Sequence, residues 1–378
     1  MQHRRTAQLG LVLLFLVVGC SDSPLPTVAE QSEDPAEDPA EDSAENPATD
    51  DAWQPMGTGV AHSAEALTVH DGQLIVGGSF SPWSEAEATR ISRWDGSSWG
   101  PLVTGVNAVV FAFTTHDADL IAGGNFTTVG GVAANKIARW DGSAWHPMGT
   151  GLDGFALAFT TYEGDLIAGG VFTTAGGEAA NLVARWDGTA WHPMGTGMNG
   201  MSVEVLTVYD GDLIAGGFFT TAGGISANYV ARWDGTEWHP MGAGMNDEVF
   251  ALATFDGDLI AGGRFTTADG GSANRIARWD GSAWHPVSTG VNAPVFAFTI
   301  HDGDLIAGGE FTTAGGAEAN YVARWDGSDW QPMGMERMGT GTNHASISAL
   351  AVHDGDLIAG GHFANSDRLN NVARWVAP

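Results

Sequence analysis

The sequence predicts an all-β fold, a seven-bladed β-propeller whose ring is closed by its own amino-terminal strand. Three observations carry this expectation. The string Leu-Ile-Ala-Gly-Gly-x-Phe, or a near copy, ends at Phe80, Phe126, Phe172, Phe219, Phe265, Phe311 and Phe363, in steps of 46, 46, 47, 46, 46 and 52 residues. A second string, Ala-Arg-Trp-Asp-Gly-x-x-Trp, follows each time, with its Arg-Trp pairs at 93–94, 139–140, 185–186, 232–233, 278–279, 324–325 and 374–375. A period this long makes each repeat one supersecondary unit. The third observation is at the ends. Repeat seven stops at Trp375 without its last strand, whereas Trp53-Gln54-Pro55-Met56-Gly57-Thr58-Gly59 matches residues 145–151. A ring needs that lone strand to complete its last blade, and closure removes the exposed edges that aggregate.

Repeat five shows each element in order. Residues 249–255 read as a strand, Asp256-Gly257-Asp258 as a hairpin turn, and 259–265 as a second strand. A Gly-rich loop over 266–273 leads to a third strand at 275–279. Asp280-Gly281 gives another tight turn. The fourth strand runs over 284–290, with Pro286 tolerable on a sheet edge. Four antiparallel strands in about 46 residues is one propeller blade. No helical period of 3.6 intervenes. Residues 53–378 are therefore expected to form a single domain despite their length.

Composition narrows the partners. Acids outnumber bases 45 to 15, the formal charge is −30, and Lys136 is the only lysine. Such a chain repels phosphate backbones, which argues against nucleic acid. A single Cys excludes an intramolecular disulfide framework and a Cys-rich zinc site.

That Cys closes the amino-terminal segment. Arg4 and Arg5 precede a short apolar run over 9–18, and the run ends Val17-Val18-Gly19-Cys20. The string resembles the lipobox of bacterial lipoproteins. The resemblance implies a signal peptide over 1–19, cleavage before Cys20 and acylation of that residue. Ser21, where Asp would retain a lipoprotein in the inner membrane, favours the outer membrane or the cell surface. Acyl chains contribute about 0.8 kcal/mol per buried methylene, so several hold a protein firmly. Residues 20–52 then read as a disordered acidic tether. Within 21–52 there are eleven Asp or Glu and no Lys or Arg, and Glu33-Asp34-Pro35-Ala36 recurs at 37–40. Such a segment lacks the apolar area to fold. At about 3.1 Å per residue it reaches on the order of 100 Å.

The branched-apolar strand ending in Gly-Gly, followed by Trp-Asp and a further Trp, is similar to kelch repeats. Gly-Gly-x-Phe with Ala-Arg-Trp-Asp-Gly-x-x-Trp more closely resembles the propeller repeats of fungal cortical polarity-marker proteins and of many bacterial secreted proteins. The resemblance spans nearly all of 53–378 and implies the fold. It departs from ordinary kelch in its Arg-Trp pair.

A residue present in every blade is structural on this reading. Arg139, Arg185, Arg232, Arg278 and Arg324 are expected to bond carboxylates such as Asp119, Asp165, Asp212, Asp258 and Asp304. The paired tryptophans are expected to fill the space between blades. His70, His116, His301 and His353 share their position with Tyr162, Tyr209 and Phe255, so an aromatic body is wanted there and not a metal ligand. No metal, cofactor or catalytic residue is expected. The sialidase Asp-box and the Thr-Gly pair of quinone-cofactor propellers are both missing.

Function is expected where the repetition breaks. The departures are 81–89, with Trp83 the only Trp outside the repeating pairs, and 334–348, with Arg337, Asn343 and His344. These belong to blades one and seven, which adjoin at closure. Asn107, Asp153, Asn199, Asn246 and Asn292 are secondary candidates around the channel mouth, where a turn role competes. The leading expectation is a monomeric, membrane-tethered binding or scaffolding propeller for a protein or glycan. Alternatives are a polysaccharide-active hydrolase or lyase, and an envelope-assembly component.

Overall fold

A computed structural model describes residues 53–80, 90–102, 104–334, 345–363 and 370–376. Seven four-stranded antiparallel sheets follow one another along the chain. The innermost strand of each meets the innermost strands of both neighbours, and blade seven meets blade one, so the ring is closed. The fold is a seven-bladed β-propeller. Among the described residues no helix is long and apolar enough to cross a membrane.

Blade five is built from Val249–Phe255, Asp258–Gly263, Ile276–Trp279 and Trp284–Pro286, from the axis outward. Asp256 and Gly257 have φ of 54° and 88°, the two left-handed positions that a two-residue hairpin of matching twist requires. Two expectations are corrected. The loop over 266–273 contains a small ribbon, Thr267–Ala268 paired with Gly271–Ser272, and blades two to six all have one. Its cause is a second left-handed turn at Asp269 and Gly270. The fourth strand ends at Pro286 rather than at 290, because Ser288 and Gly290 also take positive φ and swing the chain to the next blade.

Each first strand carries a β-bulge near its start. The register slips between Val249 and Ala251 in blade five, leaving Phe250 unpaired, and it slips at the matching place in all seven blades. The bulge accounts for the double glycine of the repeat. A Cβ on Gly263 would lie 2.1 Å from the carbonyl oxygen of Glu248, just before the bulge. A Cβ on Gly262 would lie 2.7 Å from the ring of Phe298 in the next blade. The first glycine admits the neighbouring blade and the second admits the bulged strand.

The tryptophans join blades. In blades two to seven the fourth-strand Trp is the more buried, as with Trp238 at 2% exposure, and it tilts against Trp233 with ring centres 5.4 Å apart. Trp238 Nε1 donates to the Met194 carbonyl at 3.1 Å, which belongs to the preceding blade's connection. Trp53 does the same to Met333 at 2.7 Å while its strand pairs with Val372–Trp375, register Trp53 to Trp375. The amino-terminal strand is thus the outer strand of blade seven.

Removing 53–59 should expose the edge of Val372–Trp375 and lower the melting temperature cooperatively, or cause aggregation. A deletion variant that melts like the parent would contradict this. Glycine variants separate the two contacts. Gly262→Ala should cost about 1–3 kcal/mol, since the Phe298 ring can shift. Gly263→Ala should cost more, because its obstacle is backbone; denaturant titration of both variants reads the order.

Candidate binding site at the channel mouth

The seven bulges lie at the end of the ring where ribbons and inter-blade connections emerge, because each is the second or third residue of a strand that starts there. They aim Glu65, Phe111, Leu157, Glu204, Phe250 and Phe296 into a central channel of about 250 Å³. The seventh position holds Ser348. Flanking alanines and strand-one apolar residues repeat closely, but this column does not. Bulges commonly re-aim a side chain at a functional mouth.

Two of the seven are carboxylates on blades one and four, as far apart as a ring of seven permits. Each follows a buried serine by two residues, in Ser63-Ala64-Glu65 and Ser202-Val203-Glu204. Ser202 Oγ donates to Glu204 Oε1 at 2.5 Å. Burial pushes the Glu204 carboxyl above the ordinary range, and Glu248 nearby adds to the rise. Glu65 is likewise raised by burial, against the lowering effects of the Ser63 hydroxyl, of His362 and of the Ser348 hydroxyl across the closure seam. Both carboxylates are deeply set, yet each keeps part of its surface open to the channel. Near Glu204, Arg264 Nη1 lies 3.2 Å from Glu248 Oε2, and its guanidinium stands 5.7 Å from the Phe250 ring centre. Phe250 and Phe296 lie 5.4 Å apart at 59°.

Trp83, Arg337, Asn343 and His344 lie outside the described residues, as does Cys20. Asn107, Asp153, Asn199, Asn246 and Asn292 are exposed and do not line the channel. Each pins the ribbon to the preceding connection. Asn246 Oδ1 accepts from the N–H groups of Thr266 and Thr267 at 2.8 and 2.9 Å, and its Nδ2 donates to Thr266 Oγ1. Asp153 does so with Thr173 and Thr174; burial raises its carboxyl, but the Thr173 hydroxyl and these N–H groups outweigh burial and hold it low. Asn199 also lines a groove of about 430 Å³ between blades three and four.

The repeated arginines bond carboxylates within their own blades: Arg139 to Asp119, Arg185 to Asp165, Arg232 to Asp212 and Arg278 to Asp258, the last at 2.6 Å. Arg324 Nε lies 3.4 Å from Asp304. All five arginines are two-fifths or more open to solvent or nearly so, which keeps each pair's contribution to about 1 kcal/mol or less. At the hairpin end, Asp234, Glu237 and His239 have the atom types and spacing to surround a cation. Asp234 is already engaged: Oδ1 accepts from Thr236 N, Thr236 Oγ1 and Glu237 N, and Oδ2 meets His239 Nε2 at 2.6 Å. The same geometry recurs at Asp141, Asp187 and Asp280 with Ala in place of Glu237, so it belongs to the turn. These bonds hold the four aspartates well below the usual carboxylate range.

The family described as the Rax2 C-terminal beta propeller domain matches residues 192–370. No curated protein sequence matches the chain. Among solved structures, the chain is similar to the WD40 β-propeller domain of Doa1, with TM-score 0.56 and 16% identity over 86% of this chain and 96% of that one. It is also similar to the extracellular domain of a hybrid two-component system of B. thetaiotaomicron, with TM-score 0.55 and 11% identity over 87% of this chain and 40% of that one. The computationally designed Ika8 protein gives 0.50 and 16%, over 86% and 100%. Identities this low speak for fold alone. With the seven blades, the family match makes the chain a β-propeller repeat protein.

The raised carboxyls make stability depend on pH. An acid that holds its proton more tightly when folded contributes stability below its unfolded pKa, and loses it as pH rises through the folded value. Glu204→Gln keeps the neutral shape at every pH. It should therefore melt higher than the parent at pH 8 and equally near pH 4. Identical melting at both pH values would mean that Glu204 is as well solvated folded as unfolded.

Proposed function

We propose that the chain is a membrane-tethered, extracytoplasmic propeller that binds or scaffolds a protein or glycan partner and performs no catalysis. The observation that carries this reading is the loss of repetition at one place, the ring of bulge residues at the channel mouth. Residues shared by all blades serve the ring; residues that differ there are free to serve recognition. The segments 81–89 and 334–348 also break the repetition, and Trp83, Arg337, Asn343 and His344 are the further residues assigned to partner contact. Acylated Cys20 anchors the chain to the cell envelope, in the outer membrane or at the cell surface, and 20–52 spaces the propeller from the bilayer.

A second reading, a polysaccharide-active hydrolase or lyase, draws on Glu65 and Glu204 facing one channel. Paired carboxylates are the usual equipment of glycoside hydrolysis. Loss of activity toward a polysaccharide panel in Glu65→Gln/Glu204→Gln would favour it.

Cys20→Ser should move the protein from the membrane to the soluble fraction or block its maturation. Wild-type chain should capture a partner from detergent-solubilised envelope or bind on a glycan array. The folded Trp83→Ala/Arg337→Ala variant should bind that partner more weakly by about 2 kcal/mol or more. Unchanged detergent partitioning of Cys20→Ser with no acyl mass on the wild type sinks the tether. Equal binding by the double variant moves the contact off 81–89 and 334–348.

A further inference from the structure

We propose that the channel mouth binds an organic cation, a primary ammonium or guanidinium group on an alkyl stem, between Glu65 and Glu204 with its stem against Phe111, Phe250 and Phe296. This deepens, and rests on, the reading of the mouth as a binding site. Glu204 has one serine hydroxyl and no cation of its own among the described residues. The nearby guanidinium, Arg264, is committed to Glu248 at 3.2 Å. Glu65 has the hydroxyls of Ser63 and Ser348, and His362 lies close enough to favour its ionised form. Holding carboxylates in such a place is costly unless a positive group completes them. Both carboxylates line the channel, so a positive group there would reach them.

The wall selects among cations. Calcium takes six to eight oxygen ligands, and magnesium a near-ideal octahedron. Here the two carboxylates stand on separate blades, and the wall between them is Phe, Leu and Ala. Aromatic faces attract ammonium and guanidinium groups and also cover an alkyl stem. An open volume of about 250 Å³ suits one side-chain-sized group and is smaller than ordinary ligand pockets of about 300–1,000 Å³. A net charge of −30 raises the local concentration of any such cation. The group comes either from a free alkylamine or from a basic side chain of a partner protein.

The test is calorimetric titration of the full chain at fixed ionic strength with two probes: agmatine, and a capped pentapeptide with one arginine among alanines. The expected result is saturable one-to-one binding that weakens at least tenfold in Glu65→Gln and in Glu204→Gln. Asp302→Asn and Asp354→Asn remove the same charge from hairpin turns, where those side chains are 80% and 84% exposed, and should stay within twofold of wild type. Tighter binding of the peptide identifies a partner's side chain; equal or tighter binding of agmatine identifies a free amine. Equal weakening in all four variants, or no saturable binding of either probe, overturns the proposal. If neither probe binds but envelope capture still recovers a partner, the cation falls and the binding reading stands. If capture fails as well, both fall.

Discussion

The structure depends on how closely two backbones approach at the double glycine. At Gly263 the second strand passes under the carbonyl that precedes the bulge, at a distance that no side chain survives. At Gly262 the next blade leans its Phe298 or an equivalent residue into the space a methyl would fill. The same pair does both jobs in every blade. It fixes the spacing between blades and it permits the bulge that turns one side chain out of the sheet and into the axis. Sheet packing and site formation are therefore one constraint, which explains why the Gly-Gly pair recurs without exception while the residue at the bulge varies.

That division runs through the molecule. Trp238 and its counterparts, the Arg–Asp pairs, and the Asn246-type pins hold blade to blade and ribbon to connection. None of them reaches the channel lining. Glu65, Glu204 and the phenylalanines between them do reach it. The two serines are the exception, since Ser63 and Ser202 are buried and spend their hydroxyls on the carboxylates.

Much of the ring was legible in the sequence because packing repeats. Seven copies of Phe265 and Trp279 need seven equivalent pockets, and the unpaired segment 53–59 had one vacant place to fill. The bulges were not legible, because no residue type marks them; Phe250, Leu157 and Glu204 occupy the same backbone geometry. The ribbons hid in Thr-Thr-x-Gly-Gly, where the glycines read as loop and in fact close a two-residue turn. The long, unrepeated connections mark Trp83 and Arg337, which lie outside the described residues. Aligned on the repeat, Glu65 and Glu204, each with its serine two residues earlier, stand out as acidic intrusions in a column otherwise of Phe, Leu and Ser.

Closure also has a consequence in time. Gln54 and Arg374, whose side chains meet across the seam, are 320 residues apart in the chain. The strand at 53–55 is made before every other strand of the ring and finds its partner only after the rest exists. Contacts this distant in sequence are slow to form, since the intervening loop must close first. During that interval Trp53 lacks its cover, and a partly built ring is open to wrong pairing with another chain.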